Sequence, residues 1–377
     1  MRSWKKLFML LLVVNLVIIL TVSCTTTQTP SSSSSPSPSP SQTVAKTYRI
    51  GVNVRDLSAP FIKALLIGIQ KKADELGMQI ITVCSNNDPQ TDLSNIDNLI
   101  AMKVDGFISG STIDPVAIIP GIKKLNEANI PVIATDNSPT GGKVDFYIAF
   151  DIKESSIKCA NIMLDELKKR NNGQIPNGVI IEVMGDLLSD SWAGISSRAF
   201  HSVMDQYKDK LQIVQGNGNW NNDDAFRVVS DYCTRFKDQI VGVFVHTPDV
   251  MGTGAINALE KAGLDPKKIV STGVCIGPEG LILLKNNEFT SMIEQPIEAS
   301  GEMAVELMYK ILTKQPLPKI GDKIEEKGAI WSPAEVIQNT WGADGLYIKL
   351  QGVAVPQEVA PDDPRLWENS LFGATTP

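Results

Sequence analysis

Side chains suited to acid–base or nucleophilic chemistry are scarce in this sequence. It lacks the metalloprotease pattern H-E-x-x-H, the hydrolase pattern G-x-S-x-G and the phosphate-binding Walker pattern. The glycine pairs Gly216-x-Gly218 and Gly252-x-Gly254 lack the third glycine of a dinucleotide-binding loop and are more typical of turns or close helix contacts. We therefore predict no catalytic residue, no metal site and no cofactor, and interpret the chain as a binding protein rather than an enzyme.

The two histidines of the chain, His201 and His246, do not form an obvious catalytic pair. His201 lies in an amphipathic helical segment, which favours a surface or half-buried position. His246 ends an apolar segment, so it lines a cleft or belongs to the core, and the sequence leaves both open.

Net charge and hydropathy restrict the partners. The chain of 377 residues has 35 Lys plus Arg against 42 Asp plus Glu, a net charge of −7. It becomes −10 if Arg2, Lys5 and Lys6 are lost with the first 23 residues. Because nucleic-acid binding requires a basic surface, this balance excludes a nucleic acid as partner. A single long apolar run excludes a membrane protein with several spans.

The N-terminus has the pattern of an export signal. A basic start, Arg2 to Lys6, is followed by an apolar run from Leu7 to Val22 and then by Ser23 and Cys24. The run falls short of the roughly 18 apolar residues of a membrane-spanning helix. This length favours a cleaved signal peptide, residues 1–23, over the alternative of a permanent anchor.

Residues 24–45 predict an extended, lipid-anchored tether. The segment from Thr25 to Gln42 consists almost entirely of Thr, Ser, Pro and Gln, which cannot form a packed core. Cys24 resembles the cysteine of the lipobox of bacterial lipoproteins, although Leu20 stands four residues before it rather than three. The resemblance implies that Cys24 is lipidated. The body would then be anchored by lipid alone, at the outer face of the cytoplasmic membrane or in the periplasm.

From Tyr48 onward, apolar strands alternate with amphipathic helices, which is typical of doubly wound parallel sheets. In the first helix, for example, Ile62, Leu66, Ile69, Ala73 and Leu76 form one apolar stripe. The predicted strands are Tyr48–Val54, Gln79–Cys84, Gly106–Ser109, Pro131–Thr135, Gly178–Met184, Leu211–Val214, Val241–Val245, Ile269–Val274 and Thr290–Glu294. The length suits two lobes, and ligands of such sheets bind beyond the carboxyl ends of the strands.

Four cysteines follow Cys24, none of them in a C-x-x-C spacing. Cys84, Cys159 and Cys275 lie in apolar segments, which favours free buried thiols for these and for Cys233. Two disulfides are the alternative in an exported chain.

The order and spacing of several short motifs resemble the type I periplasmic sugar-binding proteins, in particular their ribose-binding group. The resemblance spans about residues 46–327, and no single motif decides it. The motifs are Ala59-Pro60-Phe61, the segment from Val83 to Pro89, Ile130 to Asp136, the Trp220 segment and Ile293 to Pro296. It implies an α/β fold of two doubly wound parallel-sheet lobes joined by a three-crossover hinge.

The family's topology implies a division of the chain. The N-terminal lobe would contain residues 46–150 and about 296–321, and the C-terminal lobe residues 151–295 and about 322–377. The three crossovers would lie near 150–151, 295–296 and 320–323. Residues 328–377, which we call the C-terminal extension, exceed what the family usually has, and we expect its aromatic residues to be packing residues.

The resemblance also implies a ligand site. Asp136 matches a family acid that accepts hydrogen bonds from sugar hydroxyls, although an Asp can also cap the turn at Asn137. Phe61 and Trp220 match aromatics that enclose the sugar, with core packing as the alternative. Gln295 matches an amide next to the hinge. Further candidate ligand residues are Arg55, Asp56, Asn137, Trp192 and Asp249, although Arg55 and Asp56 also suit an ordinary solvated loop.

Three positions depart from the family pattern. Ser196 stands where the family often has an arginine, Pro248-Asp249 replaces Asn-Asp, and Gly273-Val274-Cys275 replaces Gly-Phe-Asp. We therefore expect a ligand other than ribose, or another pose.

The expected function is capture of a small sugar or polyol and its delivery to an ABC transporter permease, with the protein acting as a monomer. The alternative is a sensory protein for a furanosyl signal or a nucleoside.

Overall fold

The computed structural model describes residues 46–186 and 192–372. The expected signal peptide, the lipidated Cys24 and the tether lie outside the described residues. Within these residues the chain forms two α/β lobes, each built around a mostly parallel sheet.

The first lobe contains an eight-stranded sheet in the order β11-β12-β13-β5-β4-β3-β1-β2. Only the pairings β11–β12 and β12–β13 are antiparallel. The strands are β1 (Arg49–Val54), β2 (Gln79–Cys84), β3 (Gly106–Ser111), β4 (Val132–Thr135), β5 (Lys143–Phe150), β11 (Lys323–Ile324), β12 (Ala334–Gln338) and β13 (Asp344–Leu350). Its helices are α1 (Pro60–Leu76), α2 (Pro89–Ala101), α3 (Ile119–Glu127) and α9 (Ile297–Leu312).

The second lobe contains a six-stranded sheet in the order β14-β10-β9-β8-β6-β7, with only the β10–β14 pair antiparallel. Its strands are β6 (Gly178–Met184), β7 (Leu211–Asn217), β8 (Ile240–Val245), β9 (Val270–Val274), β10 (Ser291–Ile293) and β14 (Ala354–Val355). Its helices are α4 (Ile152–Arg170), α5 (Trp192–Met204), α6 (Asn222–Phe236), α7 (Pro248–Lys261) and α8 (Gly277–Lys285). A short helical turn, Glu368–Phe372, lies near α8.

The two-lobed α/β fold is confirmed, and the chain passes from one sheet to the other after β5 and again after β10. The chain leaves the first sheet after β5, and α4 packs against α5 and β9 of the second lobe. It returns after β10, and α9 packs against α1. Glycines allow that close approach, because a Cβ on Gly68 would lie 2.2 Å from the carbonyl oxygen of Glu298. This contact fixes the first lobe to the segment that follows Gln295.

The expected assignment of residues 322–377 to the second lobe was wrong for most of the segment. β11, β12 and β13 extend the first sheet, and β13 pairs in parallel with β5. The third crossover lies between Leu350 and Ala354, not near residues 320–323, and only β14 joins the second sheet. The physical reason is the edge of β5, whose unpaired backbone groups accept another strand.

β5 was also missing from the predicted strands. It pairs in parallel with β4, but the connection, residues 136–142, contains no helix. A prediction based on regular strand–helix alternation therefore passes over it.

The four cysteines among the described residues are unpaired, as preferred from the sequence. Cys159, Cys233 and Cys275 are buried, and Cys84 is half-buried. None of the helices within the described ranges is both long enough and apolar enough to cross a bilayer.

Candidate ligand-binding site

Asp136 lies directly after β4 with both carboxylate oxygens engaged. Ser111 donates its hydroxyl to Oδ2 at 2.7 Å, and the Gln295 amide donates to Oδ1 at 2.7 Å. The backbone of Asp136 has a φ of 56°, a left-handed conformation that Asp and Asn tolerate better than other non-glycine residues. The Tyr147 hydroxyl donates to its carbonyl oxygen at 2.6 Å. The carboxylate is therefore held in one orientation.

Gln295 brings the second crossover into this network. Its side chain is buried, and its amide bonds to Asp136 although the two residues are 159 positions apart in the chain. Its backbone carbonyl accepts a hydrogen bond from the indole N–H of Trp367 at 3.0 Å. The structure thus joins two of the residues named from the sequence, one at a strand end and one at the hinge.

Arg55, Asp56 and Phe61 form a second group after β1. The Arg55 guanidinium lies 5.2 Å from the centroid of the Phe61 ring, within the range of a cation–π interaction. Asp56 Oδ1 accepts hydrogen bonds from the backbone N–H and the hydroxyl of Ser58 at 2.7 and 2.8 Å. Partial burial opposes ionisation, but these bonds outweigh it and lower the pKa of Asp56. The group presents a cation on an aromatic face beside an ionised carboxylate.

Trp192 and Trp220 form an aromatic pair in the second lobe. Their ring centroids lie 5.5 Å apart in an edge-to-face arrangement. The Trp220 ring packs onto the backbone after β6, where a Cβ on Gly185 would lie 2.0 Å from the indole. Only glycine at position 185 permits this position of the indole.

A buried carboxylate, Glu182, lies in the strand beneath the aromatic pair. His246 Nε2 is 2.8 Å from Glu182 Oε1, and His201 Nε2 is 3.0 Å from Oε2. The Gln215 amide also donates to Oε2, at 2.8 Å. His246 is fully buried and its ring lies 6.4 Å from that of Trp192, so it supports the aromatic pair from inside the lobe. His201 is half-buried, as expected.

The pKa values follow from these contacts. Burial opposes the charge of Glu182, but hydrogen bonds from both histidines outweigh it and hold the pKa of this carboxyl well below its usual range. The hydrogen bond to Glu182 raises the pKa of His201 to about 9. Glu182 was not among the residues named from the sequence. The pattern that could have indicated it is a single acid inside the apolar run from Val179 to Met184.

We expect the His201→Ala variant to lose about 2 kcal/mol of unfolding free energy at pH 6, because it removes a charged partner of a buried carboxylate. The folded pKa of about 9 exceeds the ordinary 6.5, so this contribution is complete below pH 6.5 and decreases as the pH rises through 9. Urea denaturation at pH 6 and pH 9.5 measures it. The exposed Gln212→Ala variant of β7 serves as control, and an equal loss at both pH values would contradict the assignment.

Asp249 is placed differently from a solvent-facing ligand residue. It is only 4% exposed in the first turn of α7, and its Oδ1 has no hydrogen-bond partner. Its carboxylate packs against Gly277, where a Cβ would lie 1.7 Å from Oδ1. Burial, with the negative charges of Glu368 and Glu279, raises the pKa of Asp249 to about 8.

The remaining named positions have structural contacts. Asn137 donates its side-chain amide to the carbonyl of Thr112 at 3.0 Å and so links the ends of β3 and β4. Ser196, at the family's arginine position, is buried with its hydroxyl 2.9 Å from that of Ser156. Cys275, at the family's aspartate position, is a buried thiol.

Asp136 and Arg55 follow strands of the first lobe, whereas the Trp192–Trp220 pair belongs to the second lobe. No ring contact joins Phe61 to Trp192 or Trp220 within the described ranges. The described side chains also contain no group of His, Cys, Asp and Glu that could hold a metal ion.

A groove of about 720 Å³ lies elsewhere, along α9. Glu298, Glu302 and Glu306 line it, and Lys71 and Lys310 pair with the last two at 2.7 and 2.6 Å. None of the ligand residues named from the sequence lines this groove.

Comparison with known proteins places the chain in a family. Residues 50–316 match the family described as "Periplasmic binding protein domain". The chain therefore belongs to the periplasmic binding proteins, and within them to the type I sugar-binding family, as the motifs predicted.

The relatives are import and binding proteins. The ribose import binding protein of Bacillus subtilis is 28% identical over 268 residues, which cover 71% of this chain and 82% of the relative. The xylitol-binding protein of Mycolicibacterium smegmatis is 27% identical, with coverage of 69% and 71%. A solute-binding protein of Actinobacillus succinogenes with bound D-allose matches in structure with a TM-score of 0.67 at 20% identity, covering 82% of this chain and 97% of that one. At 20% identity, the similarity to the Actinobacillus succinogenes protein shows a shared fold.

Proposed function

We propose that this protein captures a small sugar or polyol between its lobes and delivers it to an ABC transporter permease. The observation that carries the proposal is the Asp136–Gln295 pair, a carboxylate at a strand end bonded to an amide at the crossover. Carboxylate and amide groups suit hydroxyl ligands, because they accept and donate at fixed positions. The relatives that import ribose and bind xylitol support the same ligand class.

The aromatic groups of the two lobes would provide the walls of the site. Trp192 and Trp220 belong to the second lobe, and Phe61 with its Arg55 partner belongs to the first. Aromatic rings pack well against the apolar faces of sugars while polar groups fix the orientation. Closure about the hinge would bring the two walls together around a ligand.

The ligand would differ from ribose or bind in another pose. Ser196 is bonded within the second lobe, and Cys275 offers a buried thiol in place of a carboxylate. Two polar side chains of the ribose-binding pattern are therefore replaced. This replacement indicates a ligand whose hydroxyl groups are fewer or are arranged differently from those of ribose.

Lipid anchoring through Cys24 is part of the proposal. It rests on the N-terminal pattern alone, since these residues lie outside the described ranges. We expect radioactive palmitate to label the protein in its host and the Cys24→Ser variant to remain unlabelled.

Uptake is favoured over sensing by relatives that are ribose import binding proteins, 28% and 27% identical to this chain. A fructose-binding domain of a hybrid two-component system matches with a TM-score of 0.68, but at 19% identity it shows only the fold. Purified ABC permease would bind the liganded protein if uptake is correct, and a histidine kinase would bind it in the sensory alternative.

A thermal-shift screen against pentoses, hexoses, polyols and nucleosides tests the ligand class. A ligand that binds only the native protein at 100 times its Kd stabilises it by about 2.7 kcal/mol, so we expect a clear rise of Tm for at least one sugar or polyol. The Trp192→Ala/Trp220→Ala variant should lose most of this shift. No shift with any sugar or polyol would contradict the proposal, and a shift with nucleosides alone would favour the sensory alternative.

A further inference from the structure

Residues 366–369, which we call the C-terminal clasp, insert into both lobes. Leu366 is fully buried in the hydrophobic core of the second lobe. Its neighbour Trp367 is 4% exposed and belongs to the core of the first lobe, with α1, α9 and Trp331. Consecutive side chains of one segment are thus packed into opposite lobes. The segment therefore links the cores of the two lobes.

The clasp contacts the candidate ligand site directly. The Trp367 indole donates its N–H to the carbonyl oxygen of Gln295 at 3.0 Å. The side chain of the same Gln295 donates to Asp136. The clasp therefore fixes the backbone of the crossover residue whose amide orients the candidate sugar-binding carboxylate.

The clasp also holds both ends of α8. Glu368 Oε1 accepts a hydrogen bond from the backbone N–H of Gly277 at 2.9 Å, where α8 begins. Asn369 Oδ1 accepts one from Lys285 at 3.0 Å, where α8 ends. Because α8 also lies against α1 of the first lobe, the clasp fixes an element at the interface of the lobes.

We propose that Trp367 and Glu368 are positioning residues of the ligand site. They hold Gln295 and α8 in the arrangement that forms the Asp136–Gln295 pair, and this arrangement sets the affinity for the ligand. The inference rests on the proposed sugar-binding function. The clasp lies beyond residue 316, where the match to the family domain ends.

The clasp brings a buried carboxylate next to other acids. Glu368 interacts electrostatically with the buried Glu294, which follows β10, and with the buried Asp249 of α7. Glu279 of α8 adds further negative charge next to Asp249. The buried thiol of Cys275 lies nearby. Lys285 bonds to the neighbouring Asn369, and Arg365 pairs with Asp363. Burial disfavours the charged form and so raises the pKa of both Glu368 and Glu294, and the charge of Glu368 raises the pKa of Glu294 further. Deprotonation at higher pH should therefore loosen the clasp.

The first experiment compares Trp367→Phe with Trp331→Phe. The first variant keeps an aromatic ring in the core and removes the N–H that binds Gln295. The second makes the same change at another buried tryptophan of the same core. Calorimetric titration with the sugar of largest thermal shift should show about 10-fold weaker binding for Trp367→Phe, the usual cost of one buried hydrogen bond, and under twofold for Trp331→Phe. Equal affinities for the two variants would overturn the inference.

The second experiment tests the charge of the clasp. The Glu368→Gln variant retains an acceptor for Gly277 and cannot lose a proton. Asp249 also has a pKa of about 8, so the comparison is made in the Asp249→Asn background. There the affinity should decrease several-fold between pH 6 and pH 8, and with Glu368→Gln added it should change by less than twofold. An equally steep decrease in the variant would overturn the role of Glu368.

Amide hydrogen exchange of the ligand-free protein separates this inference from the proposed function. Trp367→Phe should speed exchange at Gly277 and Ile297, and Trp331→Phe should not. If no sugar binds the wild type, the proposed function fails, and the exchange rates still decide whether the clasp holds the crossover. Unchanged exchange in Trp367→Phe would overturn the clasp itself.

Discussion

Replacing Asp136 by Asn is expected to weaken sugar binding roughly 10- to 100-fold, because hydrogen bonds to an ionised acceptor contribute about 1.5–3 kcal/mol. Asn tolerates the left-handed backbone at this position, where φ is 56°. Its oxygen can still accept from Gln295, and its NH₂ group can donate to the rotatable hydroxyl of Ser111. The substitution therefore removes the charge and preserves the geometry.

Isothermal titration with the best ligand of the thermal-shift screen measures the effect. The control is Asp97→Asn, an exposed carboxylate of the same lobe that pairs only with Lys124 among the contacts described. It should bind the ligand as the wild type does. If Asp136→Asn bound with unchanged affinity, the carboxylate would not be an acceptor for the ligand, and the site would have to lie elsewhere.

The second large effect concerns pH and the buried Asp249. Its folded pKa of about 8 lies above the ordinary value of 3.8, so between these values the folded protein binds a proton that the unfolded chain has released. The free energy of unfolding must then decrease as the pH rises from about 4 to about 8, and it becomes independent of this group above that range. Each pKa unit corresponds to about 1.4 kcal/mol, so the decrease amounts to several kcal/mol.

The Asp249→Asn variant should remove this dependence. Its amide has nearly the shape of the protonated carboxyl and carries no charge, so the variant should equal the wild type near pH 4 and exceed it in stability at pH 8. Urea denaturation at pH 4.5, 6 and 8 measures the difference. The Asp223→Asn variant, also in the first turn of a helix but exposed, is the control. Parallel pH curves for wild type and Asp249→Asn would show that Asp249 is ionised in the folded protein.

The main fold could be predicted because its signals are local. Strands such as β2 and β6 have the predicted bounds, since each is a continuous apolar segment between turn or helix signals. Asp136 and Gln295 were found through the resemblance to the sugar-binding family, and their positions after predicted strands agree with where parallel sheets present ligand residues. The hydrogen bond between the two side chains could not be predicted from the sequence alone, because the residues are 159 positions apart.

The remaining features depend on partners that are distant in the chain. β13 joins the first sheet only because β5 has a free edge, which no local pattern of residues 344–350 reveals. Glu182 and Glu368 appear in the sequence as isolated acids, and their significance comes from His246 and Gly277, which the fold brings to them. Asp249 was named as a ligand residue for its place at a strand end, and its burial follows from the packing of Gly277.

The distribution of the thiols offers a built-in optical reporter. Among the described residues, Cys84 is the single thiol that is not buried, and it lies at the carboxyl end of β2. The next turn contacts the Arg55 segment, because the Asn87 backbone N–H donates to the carbonyl of Arg55 at 2.8 Å. Of the described thiols, a maleimide dye would therefore react preferentially with Cys84, beside the proposed cleft, and its emission would report lobe closure without any engineered cysteine.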